Sequence, residues 1–125
     1  MDDRSPYERM GGATEVRNLV DRFYDAMERR PDAATILAMH DDDLTESRQK
    51  LFEFLSGWMG GPSLYMEKHG HPRLRMRHAP FAVDHAAAVA WMACMDEALE
   101  GVADVSLRHA LSGSFGRIAA HMRNE

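Results

Sequence analysis

Apolar residues recur every three or four positions along most of the chain, and the pattern is interrupted by glycines and prolines rather than by long polar tracts. From Thr14, an N-cap candidate with Glu15 in the first turn, Val16, Leu19, Val20, Phe23, Tyr24 and Met27 share one helical face until Pro31 stops the run. Phe23 and Tyr24 both fall on the buried face, so the tyrosine hydroxyl needs a partner there. A second helix opens with Asp43 and Glu46 in capping-box spacing, or with Thr45 as cap, and continues to Met59 with Ser47, Leu51, Phe54, Leu55 and Trp58 on one face. Asp84 caps a third, His85 to Leu99, whose stripe is Ala88, Trp91, Met92, Met95 and Leu99. The fourth runs from about Val105 to Met122 with Leu107, Leu111, Phe115, Ile118 and Met122 as its stripe. Gly113 and Gly116 either weaken it, by about 1 kcal/mol each relative to alanine, or admit a neighbouring helix closely.

Shorter pieces join these four. Pro6 to Met10 forms one turn that Gly11-Gly12 ends, and Ala33 to Ala38 forms another that runs into Met39-His40 and the acidic corner Asp41 to Asp43. Gly60-Gly61-Pro62 closes the second long helix, and Gly61 to Arg73 carries little regular signal, a length of loop that is usually functional. Pro72 and Pro80 bias their preceding residues away from helix, so at most about two turns fit between them, with His78 at the end of that short helix. No stretch alternates with period two long enough for a strand, so the class is all-α; there is no internal repeat.

A chain of 125 residues suits a single domain spanning 1–125, and burial of roughly two thirds of the unfolded surface supplies one core. Its net charge of −5 argues against nucleic acid as partner, since such binders neutralise phosphates with a basic stripe. Cys94 is the only cysteine, which leaves no disulfide, no Cys-x-x-Cys metal pair and no site for covalent haem attachment, and suits a reducing cytoplasm. No signal-peptide core and no membrane-length apolar run occurs, so the expectation is a soluble cytoplasmic protein. His69 and His71 lie two apart, but no second pair at metal-ligand spacing accompanies them. The ten methionines suit either an irregular ligand pocket or ordinary core filling.

Gly11-Gly12 ahead of Phe23-Tyr24, Gly60-Gly61-Pro62 after the next long helix, the turn His78-Ala79-Pro80-Phe81 and Trp91 thirteen residues beyond His78 occur together. In this combination the chain resembles a group II truncated haemoglobin, from about Pro6 to Asn124. The resemblance implies a two-over-two helical sandwich around a noncovalent b-type haem, with His78 as proximal iron ligand and Tyr24 and Trp91 on the distal side. His40 corresponds to the corner residue after the short third helix. Asp41 stands where the family usually has proline, a departure that leaves Met39 as a rival for that corner. Ser47 and Leu51 take the two distal-face positions of the long helix, without the usual histidine or glutamine gate. Phe23, Phe54, Leu55, Phe81 and Met95 would line the cofactor, and Lys50, Tyr65, His71 and Arg77 lie in segments that meet haem propionates in relatives.

The resemblance implies reversible binding of dioxygen, and of carbon monoxide and nitric oxide; with Trp91, Tyr24 and, through a protonated ring nitrogen, His40 as donors to the bound oxygen, slow release is expected. Nitric oxide dioxygenation or peroxidase-like oxidation is an extension of the same site that needs an external electron donor. The expected assembly is a monomer or homodimer. A competing reading is a globin-fold sensor or interaction module without productive haem turnover. Outside the resemblance, Tyr24 could satisfy a backbone carbonyl and His40 could pair with the neighbouring aspartates.

Overall fold

The computed structural model describes residues 3–125, apart from the Arg75 side chain. Its elements are α1 (Pro6–Met10), α2 (Ala13–Arg29), a 3₁₀ turn (Pro31–Ala33) leading into α3 (Ala34–Leu37), α4 (Thr45–Trp58), α5 (Leu64–His69), α6 (Leu74–His78), α7 (His85–Leu99) and α8 (Val105–Met122). The class is all-α, with no strand among the described residues. Two helix pairs form the body: α2 packs on α4, α7 packs on α8, and the pairs meet where α2 lies against α7.

The stripes read from the sequence face one another across that junction. Leu19, Val20, Phe23 and Met27 of α2 are buried with Leu55 of α4, Met95 and Leu99 of α7, and Leu107 and Phe115 of α8. Each such side chain contributes about 1.5–3 kcal/mol on removal from water, and together they offset the conformational entropy lost by the chain. Charge reinforces the same contacts. Arg48 of α4 reaches Asp21 at 3.0 Å, Asp25 at 2.9 Å and Glu28 at 3.0 Å along α2, and Arg29 and Arg30 at the end of α2 pair with Glu97 of α7.

Helix ends show where local sequence was overruled. Asp84 caps α7 as expected, its carboxylate accepting the Ala87 N–H at 2.8 Å. Gly12, not Thr14, caps α2: the Val16 N–H donates to the Gly12 carbonyl at 3.1 Å, because the positive φ of Gly11 and Gly12 turns the chain straight into the helix. At the start of α4, Asp43 accepts both the N–H and the hydroxyl of Thr45, closing a local turn that leaves Leu44 as cap. Glu46 takes no part in a capping box and pairs with Lys50 at 3.0 Å instead. The span 61–73, expected to be irregular, contains α5. A tertiary contact explains it: Lys68 and His69 at the end of α5 reach Glu53, a buried acid on α4, at 3.2 and 3.3 Å. Burial pushes the Glu53 carboxyl up, but hydrogen bonds from Lys68, Gln49 and His69 outweigh it and hold the group below its usual range.

The glycines divide by function. No helix comes close to Gly116, where an added Cβ would meet nothing within 4 Å, and Gly113 faces only the Arg117 side chain, so neither admits a neighbouring helix. Gly61 is different: a Cβ there would lie 2.5 Å from the Tyr7 ring, which closes the end of α4 against α1. No helix is long and apolar enough to cross a membrane, among the described residues. Gly61→Ala should lower the unfolding free energy by about 1–3 kcal/mol in chemical denaturation, through displacement of Tyr7, whereas Gly116→Ala should be neutral or stabilising.

Candidate functional site

Between the helix pairs lies a cavity of about 480 Å³, a usual size for a small-molecule or cofactor site. Its walls come from Phe23 and Tyr24 of α2, the corner Ile36, Met39, His40 and Asp41, and Ser47, Lys50, Leu51, Phe54 and Leu55 of α4. The opposite side is built from Tyr65, Leu74, Arg77, His78, Phe81 and Val83, then Ala87, Ala88 and Trp91 of α7 and Phe115, Ile118, Ala119 and Met122 of α8.

Of the residues singled out in the sequence, two stand elsewhere. Met95 is fully buried in the core, one turn beyond Trp91, because only the first half of α7 borders the cavity. His71 lines a neighbouring cavity instead, and its Nδ1 accepts the Arg73 N–H at 3.1 Å in the turn that starts α6. The choice between Met39 and His40 dissolves, since both reach the wall. Residues the sequence did not single out for the site include Ile36, Leu74, Val83, Phe115, Ile118 and Met122. The stripe on α8 was visible, but one apolar face serves the core at one end and the cavity at the other, and periodicity does not separate these uses.

His78 is the chemically distinctive wall residue. It ends the proline-bounded helix α6, and its Nδ1 lies 2.7 Å from the Leu74 carbonyl one turn earlier. A carbonyl only accepts, so in the neutral ring the proton sits on Nδ1 and Nε2 keeps a lone pair. The turn that follows is held by Asn124, beyond the end of α8: its amide donates to the Phe81 carbonyl at 2.9 Å and its side-chain oxygen accepts the Val83 N–H at 2.9 Å. No sequence signal pointed to Asn124, which lies past the last periodic residue. No group of three or more His, Cys, Asp and Glu side chains is placed to hold a bare metal ion, among the described residues.

The other side of the cavity carries aromatic groups with polar tips. The Tyr24 ring meets Phe23 edge to face at 5.0 Å and His40 at 5.8 Å, and Trp91 meets Phe23 at 5.3 Å. Neither the Tyr24 hydroxyl nor the Trp91 indole N–H has a hydrogen-bond partner among the described residues, so both are available to a guest. His40 differs, because its Nδ1 lies 2.8 Å from the Ile36 carbonyl. In the neutral ring the single proton is therefore spent on the backbone, and Nε2 offers an acceptor rather than the donor its position had suggested. Lys50 and Arg77 add positive charge to the cavity wall, with the Arg77 Nε donating to the Pro72 carbonyl at 2.7 Å.

A haem fits this donor set: one histidine with a fixed tautomer and a free Nε2, extended apolar walls, and two cations suited to propionates. Known proteins agree. The model of the family described as bacterial-like globin matches residues 5–124. Group 2 truncated hemoglobin YjbI of Bacillus subtilis (strain 168) is 38% identical over 122 residues, covering 97% of this chain and 89% of the relative. Among solved structures, the cold-adapted truncated hemoglobin of the Antarctic marine bacterium Pseudoalteromonas haloplanktis TAC125 superposes with a TM-score of 0.95 at 45% identity, covering 98% of this chain and 99% of its own. The truncated oxygen-avid haemoglobin of Bacillus subtilis superposes at 0.88 and 38% identity, covering 97% and 100%. The chain belongs to the bacterial-like globins, as a group II truncated haemoglobin with the two-over-two fold. Membership brings a haem cofactor and haem-based oxygen binding.

Burial pushes the Tyr24 hydroxyl up to about 12, against a smaller opposing pull from Arg48, whose guanidinium lies 5.6 Å from the ring centroid. The hydroxyl is raised above its unfolded value near 10, so its contribution is complete below pH 10 and is lost as pH climbs to 12. Ultraviolet titration of the haem-free protein should show one tyrosine ionising near pH 12 that Tyr24→Phe removes. The same variant should flatten the alkaline fall in stability, by an amount on the order of 2 kcal/mol.

Proposed function

We propose that the chain holds a b-type haem noncovalently through His78 Nε2 and binds dioxygen reversibly with slow release. The observation that carries this reading is the His78 to Leu74 hydrogen bond, which leaves one imidazole nitrogen in the ligand-ready state. Haem supplies a ferrous iron able to take a diatomic ligand, dioxygen, carbon monoxide or nitric oxide. The protein would supply the rest: Leu74, Phe81 and Val83 would shield the bound group on the His78 side, and Phe23, Leu51, Phe54 and Leu55 would exclude water. Lys50, Arg77 and Tyr65 would meet its propionates; the Arg77 guanidinium lies 5.7 Å from the Tyr65 ring centroid.

On the distal side, the Trp91 indole N–H can only donate, and Tyr24 donates while its hydroxyl stays protonated through the physiological range. Dioxygen as a ligand gains negative charge, so two donors in a dry pocket hold it, each by about 0.5–1.5 kcal/mol. A neutral His40 Nε2 has no proton to give the ligand and can only compete with it for the single Tyr24 proton. Ser47 stands where a bulkier gate would restrict entry. The truncated haemoglobin of Bacillus subtilis is oxygen-avid, which supports slow release here. Turnover of nitric oxide or peroxide at the same site would draw electrons from an external donor. A buried free thiol at Cys94 suits a reducing cytoplasm.

Absorption spectra in the ferric, ferrous and carbon-monoxide states test the anchor: wild type should show a histidine-ligated haem and His78→Ala should lose it. Retention of the wild-type spectrum in that variant would refute the assignment and favour the interaction-module reading. Oxygen dissociation measured by stopped flow should accelerate about three- to tenfold in Trp91→Phe, since roughly 1.4 kcal/mol corresponds to tenfold. An unchanged rate would remove Trp91 from the ligand-holding set.

A further inference from the structure

The charges of this molecule are sharply segregated. Between Glu67 and Asp84 the sequence has Lys68, Arg73, Arg75 and Arg77, three histidines and no carboxylate, while the rest of the chain has eleven Lys and Arg against twenty Asp and Glu. This segment forms α5, α6 and the turn after them, beside the cavity whose wall Arg77 and Phe81 share. Glu53 offsets Lys68, which it meets at 3.2 Å, and leaves the three arginines in excess. The exposed carboxylates stand at the segment's edges: Glu67, Asp84, whose side chain caps α7, and Glu125, whose N–H meets the Val83 carbonyl.

The same segment exposes apolar surface. Of the five large hydrophobic side chains that stand out into solvent among the described residues, Met66 and Met76 lie here at 56% and 58% exposure, and Phe81, at 39%, also borders the cavity. Arg73 is exposed and, at φ +46°, is the one non-glycine residue with left-handed backbone among those described. Exposed methionine and arginine at the centre of a positive field are the composition of a small transient interface.

We propose that the α5–α6 face is the docking surface for an acidic electron-donor protein, a small iron–sulfur or flavin protein with carboxylates around its redox centre. The inference rests on the haem reading above and identifies the donor that any redox turnover would need. In the encounter the reduced donor loses one electron and the ferric haem of this chain gains it to become ferrous; no covalent bond forms or breaks. Complementary charge steers the approach, so the association is fast at low salt and falls as ions screen it. Methionine and phenylalanine at the contact let the partner slide and release after transfer.

The test uses the haem-loaded full chain and an oxidised acidic [2Fe–2S] ferredoxin as probe, with binding measured by titration calorimetry and by backbone amide shifts. Arg73→Asp with Met76→Asp removes most of the segment's excess charge, from +4 to +1, at exposed positions, and aspartate tolerates the left-handed backbone better than arginine. Arg108→Glu is the control. It makes the same sign of charge change near the start of α8, about 20 Å along the helix from the Met122 end, beyond which Asn124 meets the α6–α7 turn. Association should weaken about tenfold between about 20 and 200 mM salt. It should weaken about tenfold in the double variant and less than about twofold in Arg108→Glu, with shifts confined to 64–83. Reduction by dithionite-reduced ferredoxin under carbon monoxide should follow the same order.

No association at low salt by a protein with an intact Soret band would overturn the proposal. So would equal loss in both variants, or tighter binding of the patch to phosphatidylserine vesicles than to ferredoxin. A wild-type chain with no Soret band after reconstitution would overturn the haem reading as well, and the spectrum tells these failures apart.

Discussion

The hydrogen bond from His78 Nδ1 to the Leu74 carbonyl is short, local and decisive, because it settles which imidazole nitrogen faces the cavity with a lone pair. Its geometry is not a property of α6 alone. A five-residue helix is too short to persist by itself. What holds it is the pair of flanking prolines and the Asn124 clamp, through which the chain beyond α8 grips both Phe81 and Val83. The Asn124 and Glu125 N–H groups return donors to the Val83 carbonyl, so the turn after His78 is secured from both sides. The imidazole orientation is thus a tertiary fact, transmitted from α8 through a side-chain amide.

The opposite wall is organised by ring contacts that run through all four long helices. His40 meets Tyr24, Phe23 meets both Tyr24 and Trp91, Trp91 meets Phe115 at 5.9 Å, and Phe115 meets Trp58 at 4.7 Å. The first four of these contacts are edge to face, and such packing fixes ring planes as well as positions. The indole N–H and the phenol are therefore presented by a continuous aromatic spine instead of by independent side chains. Preorganised donors cost little reorientation when a guest gains charge.

Much of this was legible in the sequence because helix periodicity and proline placement are local signals. The three- and four-residue spacing from Val16 to Met27 and the Asp84 cap translated directly into α2 and α7, and Pro72 and Pro80 bracketed α6. The signals failed where a distant residue decides. Nothing between Gly61 and Arg73 declares a helix until Glu53 supplies the acid that Lys68 and His69 reach. Gly61 looked like a breaker, yet its lack of a side chain matters for the Tyr7 ring lying against it. Thr14 and Asp43 had the composition of caps, but backbone already turned by glycines, and an internal hydrogen bond to Thr45, took those roles away. His40 was recognisable as a wall residue, but its proton could be assigned only once the Ile36 carbonyl was seen beside it.

Arg48 joins α4 to α2 through three carboxylates that occupy successive turns of one helix, and it sits over the Tyr24 ring. One cation facing three anions makes the contact redundant on one side and indispensable on the other. Loss of Asp21, Asp25 or Glu28 leaves two partners in place and relieves mutual repulsion along α2. Loss of Arg48 leaves three like charges at helical spacing without that counterion, beside the Tyr24 ring. Sequence drift is therefore cheap along the acidic face of α2, while the single guanidinium opposite it is the position where tolerance ends.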